Sequence, residues 1–184
     1  GWIIKAKQGR IYVPTPSIPY VIQEQMVKDL HAGYTVSQLK GEYLSKSWTE
    51  LLILSDEYVD NGRHPLLQHP ETGEFLELDR YYERLKLGIE FHGPQHFGPT
   101  KAFPSLEKFN ELRTRDLLKR ALCEEHGITL VITTAEDLTL PRMLDILPKD
   151  IPLRTPDTRG PYVTSLEKLS QDYRVRLARS MSRE

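Results

Sequence analysis

Cysteine is almost missing from this 184-residue chain, where Cys123 stands alone. One thiol excludes an intramolecular disulfide and a zinc site built from several thiolates. Long apolar runs are missing too. The longest are a handful of residues, such as Leu51-Leu54, which excludes a membrane-spanning helix. Net charge is scarce, −1 from 25 Lys/Arg against 26 Asp/Glu, so the chain is not uniformly basic. It has no internal repeat and no low-complexity tract. It opens Gly1-Trp2 without a methionine, and without the charged segment and apolar core of a secretory signal. That opening leads us to expect an excised domain or processed product of a longer protein.

What is present reads as globular. The apolar fraction is 39% and the charged fraction 28%, with 13 prolines and 11 glycines, enough for one domain with a real core. The near-zero net charge hides a segregation. Residues 1-46 carry six basic against three acidic side chains, and residues 47-100 four against ten. Residues 101-120 carry six against three, 121-161 four against seven, and 162-184 five against three. An acidic centre lies between basic flanks. Clustered carboxylates repel one another unless a cation or a basic side chain shares their site.

Spacing and turn residues predict the elements. Pro14, Pro16 and Pro19 mark an extended start. Val21-Leu30 has helical spacing, and Val36-Leu44 reads as a second helix after Gly33, so a helical hairpin is expected. Gly33-Leu39 is also weakly similar to the turn of a helix-turn-helix. Ser47 can cap a helix from Trp48 to about Tyr58, with Glu50 in its first turn. Asn61-Gly62 and Glu71-Thr72-Gly73 are turn signals. Phe75-Tyr82 reads as a strand, and so does Leu85-His92. In the latter, Leu85, Leu87, Ile89 and Phe91 alternate with Lys86, Gly88, Glu90 and His92. Phe109-Glu125 reads as a helix stopped by Gly127, and Ile128-Ile132 as a buried strand. Residues 148-161, rich in proline, read as a linker or surface arm. The final segment, with Leu166, Leu169, Tyr173 and Leu177 at helical spacing, reads as a packing helix with Arg174, Arg176 and Arg179 beside it. The predicted class is α/β.

The chemistry concentrates around one hairpin. A turn centred on Arg84-Leu85 sets Asp79 opposite Glu90, with Cβ atoms about 5 Å apart. Two facing carboxylates suit a hard divalent cation, Mg²⁺ or Mn²⁺; in another register each simply points to water. Gly93-Pro94 breaks the strand, so Gln95 and His96 project from the turn at its end. His96 beside a metal-bound water could act as a general base. On the following helix, Asp116 and Lys119 share a side, either as an ordinary ion pair or as groups that meet a phosphate. His92 and His96 are also spaced for a zinc hydrolase, although Gly93-Pro94 argues against the regular helix such a pair would need.

The string Leu85-Lys86-Leu87-Gly88-Ile89-Glu90-Phe91-His92-Gly93-Pro94-Gln95-His96-Phe97, followed by Phe109, Arg115-Asp116, Lys119, Cys123 and Gly127-Ile128, resembles the core of the restriction-endonuclease-like, PD-(D/E)xK nuclease superfamily. More narrowly, it resembles the very-short-patch-repair-like branch, with its phage and homing endonuclease relatives. Those chains often read as a hydrophobic strand, then Glu-x-Asp-Gly-x-Gln-His, then a helix with Arg-Asp-x-x-Lys. The resemblance covers roughly residues 47-135. It implies a mixed central sheet flanked by helices, here with an N-terminal helical segment and a C-terminal helix. It divides the chain into an extension and hairpin at 1-46 that could touch DNA, a nuclease core at 47-147, and a linker with a basic helix at 148-184.

By resemblance, Glu50 matches the acid of the first core helix, Asp79 the central metal-binding Asp, and Glu90 the acid of the (D/E)xK element. His96 matches the active-site histidine and Asp116 the later acid on the helix. His92 departs from the pattern, because the superfamily usually has Lys two residues after the acid; His96 or Lys119 would take that role. The implied activity is Mg²⁺- or Mn²⁺-dependent hydrolysis of DNA phosphodiesters. Asp79 and Glu90 hold the metal, Gln95 positions the water, and His96, oriented by Glu50, takes its proton. Lys101, Lys108, Arg113, Arg115 and Arg120 meet phosphates, with help from basic residues of 162-184. The alternative is a catalytically inactive DNA-binding or assembly module of a larger protein on the same fold. The expected setting is the cytoplasm, of a bacterial or phage-type intracellular kind, with no membrane partner.

Overall fold

The computed structural model describes residues 5-7, 10-12, 36-55, 57-101 and 104-182. The expected helix at 21-30 and the Gly33 break lie outside them, and with them the expected hairpin. Two short strands, β1 (Lys5–Lys7) and β2 (Arg10–Tyr12), pair antiparallel. The main body is an α/β arrangement around a mixed four-stranded sheet: β3 (Val59–Gln68), β4 (Phe75–Tyr82), β5 (Leu87–Phe91) and β6 (Thr129–Thr133), hydrogen-bonded in that order. β3, β4 and β5 run antiparallel, and β6 runs parallel to β5. The helices are α1 (Val36–Leu52), α2 (Leu106–Glu125), α3 (Leu140–Ile146) and α4 (Pro161–Met181).

β5 is buried along its whole length because both sheet faces are covered. Leu87, Ile89 and Phe91 join Leu44, Trp48 and Leu52 of α1, Met143 of α3, and Leu166 and Tyr173 of α4 in one core cluster. Leu76, Leu78 and Tyr81 of β4 form a second cluster with Cys123 of α2 and Ile128. The opposite face of β5, with Gly88 and Glu90, is therefore covered too.

Three expectations change. The two helices expected either side of Ser47 are one, α1, and the expected 46/47 boundary falls inside it. Ser47 is an interior residue whose hydroxyl donates to the Tyr43 carbonyl at 2.8 Å, a local bond that spares it from capping. Residues 59-68, where only the turn signal Asn61-Gly62 was expected, form the edge strand β3. That edge tolerates Pro65, Asn61 in a left-handed conformation (φ 52) and a register shift between Arg63 and Gln68. Third, residues 148-161, expected as a linker or surface arm, are tied to the core, where the final helix packs as expected. Leu54 N–H donates to Pro152 O and Arg154 N–H to Leu52 O, clipping the proline-rich arm to the end of α1. Trp48 Nε1 donates to Ser170 Oγ at 3.0 Å, tying α1 to α4.

α2 starts where Ser105 Oγ accepts from Lys108 N–H, and ends before Gly127 at φ 65, a conformation that favours glycine. Among the described residues, no helix is long and apolar enough to cross a membrane.

Candidate functional site

The site is built where β4 and β5 part. Their ladder pairs Tyr82 with Leu87, Tyr81 with Gly88 and Arg80 with Ile89. One step further, Asp79 faces Glu90, the pairing expected from a turn over Arg84-Leu85. The backbone ladder stops at Arg80, and side chains replace the backbone partners beyond it. Asp79 N–H donates to Glu90 Oε1 at 3.1 Å, and Phe91 N–H donates to Asp79 Oδ2 at 2.7 Å. Each carboxylate is pinned by the opposite strand's backbone. Asp79 Oδ1 accepts no hydrogen bond among the described residues.

Glu90 Oε2 meets Lys119 Nζ of α2 at 2.8 Å, and the Glu90 side chain is only 5% exposed. Burial first, and then the charge of Asp79, pushes the Glu90 carboxyl up to about 8, against the pull of Lys119 and the Asp79 N–H. Glu77 is raised for the same two reasons, burial and Asp79. The acidic centre thus holds more negative charge than Lys119 offsets. The strand itself is braced from α1 through Ser45 Oγ, 2.7 Å from Thr133 Oγ1, which in turn donates to the Glu90 carbonyl.

Beyond β5 the chain keeps one more sheet bond, His92 N–H to Thr133 O, and then Pro94–His96 closes a one-turn 3-10 helix. That turn stacks the His92 and His96 rings, with centroids 3.9 Å apart and planes 13° apart. Gly93-Pro94 does preclude an α-helix between the two histidines, yet it brings them together. His96 Nδ1 lies 2.7 Å from Asp116 Oδ2, and His92 Nε2 lies 4.0 Å from Asp116 Oδ1. A carboxylate accepts, so Nδ1 of His96 donates the proton between them. Burial and the neighbouring His96 push His92 down to about 4, so it is neutral at pH 7. Half-burial works against ionisation of Asp116, but the His96 hydrogen bond and the charges of His96, His92 and Lys119 outweigh it and hold the carboxyl below its ordinary range.

The structure therefore brings together Asp79, Glu90, His92, His96, Asp116 and Lys119. Gln95 is close by in the 3-10 turn, its side chain folded back over Gly93. Glu50 belongs elsewhere: its charge bears on Tyr58 and Tyr162, and His96 is oriented by Asp116 instead. Of the expected phosphate contacts, Lys108, Arg113, Arg115 and Arg120 are exposed on α2, and Lys101 is exposed in the turn before it. Arg113 and Arg120 flank Asp116 at helical spacing, and Arg115 meets Glu74 at 3.5 Å.

Sequence reasoning missed three features. Lys46 of α1, almost fully buried, donates to Glu42 and, at 3.0 Å, to Asn61 Oδ1. Asn61 sits across β3 from Asp79, between the pairs Asp60–Arg80 and Gly62–Leu78, so Glu42 and Lys46 are the charged residues of α1 that neighbour this corner. Their i,i+4 spacing was the available signal. Arg80, with no exposed surface, forks onto Asp60 at 2.6 and 2.8 Å and donates to Lys46 O. Its guanidinium also stacks 3.7 Å from the Tyr58 ring. Phe97, next to His96, is 67% exposed.

No known family model matches this chain, and no solved structure matches it. It is similar to viral proteins that are themselves described only as uncharacterized. Protein 094L of Frog virus 3 (isolate Goorha) is 38% identical over 71 residues, 38% of this chain and 46% of its own length. Protein 307L of Invertebrate iridescent virus 6 is 37% identical over 81 residues, 41% of each. Protein 033L of Invertebrate iridescent virus 3 is 36% identical over 71 residues, 38% of this chain and 37% of its own length. The chain spans less than half the length of each of these relatives.

Proposed function

We propose that this chain is a divalent-metal-dependent nuclease that hydrolyses DNA phosphodiester bonds, on a restriction-endonuclease-like core. The observation that carries the reading is the gap between β4 and β5, where Asp79, Glu90 and Lys119 converge beside the His96–Asp116 pair. The donor set fits Mg²⁺ or Mn²⁺: hard carboxylate oxygens, Asp79 Oδ1 without a hydrogen bond, and a Glu90 carboxyl driven upward by burial and uncompensated negative charge. Asp79 and Glu90 would hold the ion, which supplies polarisation of the phosphate and a more acidic water.

The chain's own groups do the rest. His96, held by Asp116 with Nε2 free, accepts the proton of the attacking water, as an imidazole fixed by a carboxylate does in other hydrolases. The water oxygen forms the new bond to phosphorus, one sugar P–O bond breaks, and the departing oxygen takes up a proton. Lys119 places an ammonium at Glu90, where its charge can compensate the crowded phosphate oxygens. Arg113 and Arg120, with Lys101, Lys108 and Arg115, supply contacts to the flanking backbone. Exposed Phe97 offers a face on which a splayed base can stack.

One observation favours the alternative of an inactive DNA-binding module: His92 stands two residues after Glu90, where the superfamily usually has Lys. Lys119 answers it by reaching the same carboxylate from α2. The deciding assay incubates the protein with supercoiled plasmid and with single-stranded DNA, under Mg²⁺, Mn²⁺ or a chelator. Metal-dependent nicking or cutting supports the nuclease. Retention of DNA with no cleavage under either metal hands the reading to the inactive module, and loss of both rejects both.

A further inference from the structure

His92, His96 and Asp116 form a corner separate in composition from the Asp79–Glu90 gap. It offers two imidazole nitrogens and one carboxylate oxygen, with all three ligand atoms within 4.8 Å of one another. Among the described residues it is the one group of three or more such side chains gathered closely enough for a metal. The 4.0 Å between His92 Nε2 and Asp116 Oδ1 is too long for a hydrogen bond. It is close to twice a bond of about 2.1 Å from a transition metal to nitrogen or oxygen, so an ion between the two atoms meets both without moving either far. His96 completes the set from one turn away, its Nδ1 already 2.7 Å from the other oxygen of the same carboxylate.

We infer that this corner is a binding site for a divalent transition metal, with His92, His96 and Asp116 as its protein ligands. Imidazole suits zinc, cobalt and nickel, whereas Mg²⁺ prefers oxygen and keeps its waters, so the corner discriminates against the ion proposed for the carboxylate gap. With centroids 3.9 Å apart and planes only 13° apart, the two stacked rings do not both aim a lone pair at one nearby ion. Loading therefore turns one imidazole out of the stack and exchanges the His96–Asp116 hydrogen bond for metal bonds. The three protein ligands leave further positions open, as in catalytic rather than structural sites. The inference goes beyond the nuclease reading and stands whether or not the chain cuts DNA. An ion here takes up His96, so occupancy of the corner and proton acceptance by His96 exclude each other.

The test uses Co²⁺ alone, without DNA, titrated into metal-stripped full chain and read by visible d–d absorption and calorimetry, with Zn²⁺ and Mg²⁺ as competitors. The expected result is one Co²⁺ per chain, displaced by Zn²⁺ and not by a large excess of Mg²⁺. His92→Gln, His96→Gln and Asp116→Asn should each weaken binding by at least the roughly 10–100-fold that the loss of even an outer-sphere partner costs. Far-UV circular dichroism confirms that each variant folds. Three outcomes overturn the inference: no stoichiometric Co²⁺ or Zn²⁺ binding, binding that survives all three substitutions in folded protein, or binding lost in Asp79→Asn and kept in the three. Because no step requires cleavage, failure of the nuclease reading leaves this result unaffected.

Discussion

At the residue scale, two carboxylates do what backbone carbonyls do elsewhere in the sheet. Asp79 and Glu90 each accept an N–H from the opposite strand, and this holds two carboxyl groups in one gap. The resulting strain is electrostatic and has a pH signature. Folded Glu90 keeps its proton up to about 8, against an ordinary value of 4.5, so the folded state binds more protons than the unfolded one across that window. Stability then falls as pH rises through it. His92, pushed down to about 4 from 6.5, works the other way between those two values. Between about 4.5 and 6.5 these two oppose each other, with the raised Glu77 on the side of Glu90, and above that His92 no longer opposes the fall. Stability should change little in the first window and drop more steeply from there to about 8, by about 1 kcal/mol per pH unit. Glu90→Gln, which cannot titrate, should remove the drop, as urea melts at a series of pH values will show. The facing of Asp79 and Glu90 was legible in the sequence, since alternation and turn position together set the register. Arg80 was not. A charged residue in a strand reads as outward, yet its guanidinium has found Asp60, the Lys46 carbonyl and the Tyr58 ring. Arg80→Ala strips a buried pair of one partner and should lower unfolding stability by about 3 kcal/mol, read from the shift in urea midpoint.

At the scale of elements, β5 announces itself by clean alternation, β6 by its short apolar run and the end of α2 by Gly127, while α2 starts after Ser105, earlier than the expected Phe109. β3 does not, because Asn61-Gly62 and Pro65 are turn and breaker signals that only an edge strand accommodates. α1 was read as two helices because Ser47 reads as the cap of a helix starting at Trp48. Gly41 is explained by tertiary packing: the Phe91 ring and the Tyr173 hydroxyl occupy the space its Cβ would fill. In an ordinary helix, Gly→Ala gains roughly 1 kcal/mol. Here Gly41→Ala should instead cost about 1–3 kcal/mol, because α1 must back away from the sheet and α4. A thermal melt gives the sign. The same change should loosen the brace from Ser45 through Thr133 to Glu90, since it shifts the helix that carries Ser45.

At the scale of the whole molecule, the charge pattern of the sequence acquires a location. The acidic stretch supplies Asp79 and Glu90 at one end of a gap, and the basic stretch at 101-120 supplies Lys119 across it and Arg113 and Arg120 outside. Glu50, carried over by resemblance, falls on the turn of α1 that bears on Tyr58 and Tyr162, while Lys46, paired with Glu42, bonds Asn61 of β3. No local pattern distinguishes these two turns of one helix; only the docking of α1 on the sheet does. The apolar spacing of the last segment did mark α4 as a packing helix, and Leu166 and Tyr173 join the core. The central claim is that the gap between β4 and β5 cuts DNA with a divalent cation held at Asp79 and Glu90. It is tested most directly by the single-turnover rate of plasmid cleavage in Mg²⁺ or Mn²⁺ for the parent chain and for Asp79→Asn. The account predicts metal-dependent cleavage by the parent and a loss of about 100-fold or more in the variant, on the order of 3 kcal/mol of transition-state stabilisation. Equal rates in the two proteins, or no cleavage by the parent with either metal, would contradict it.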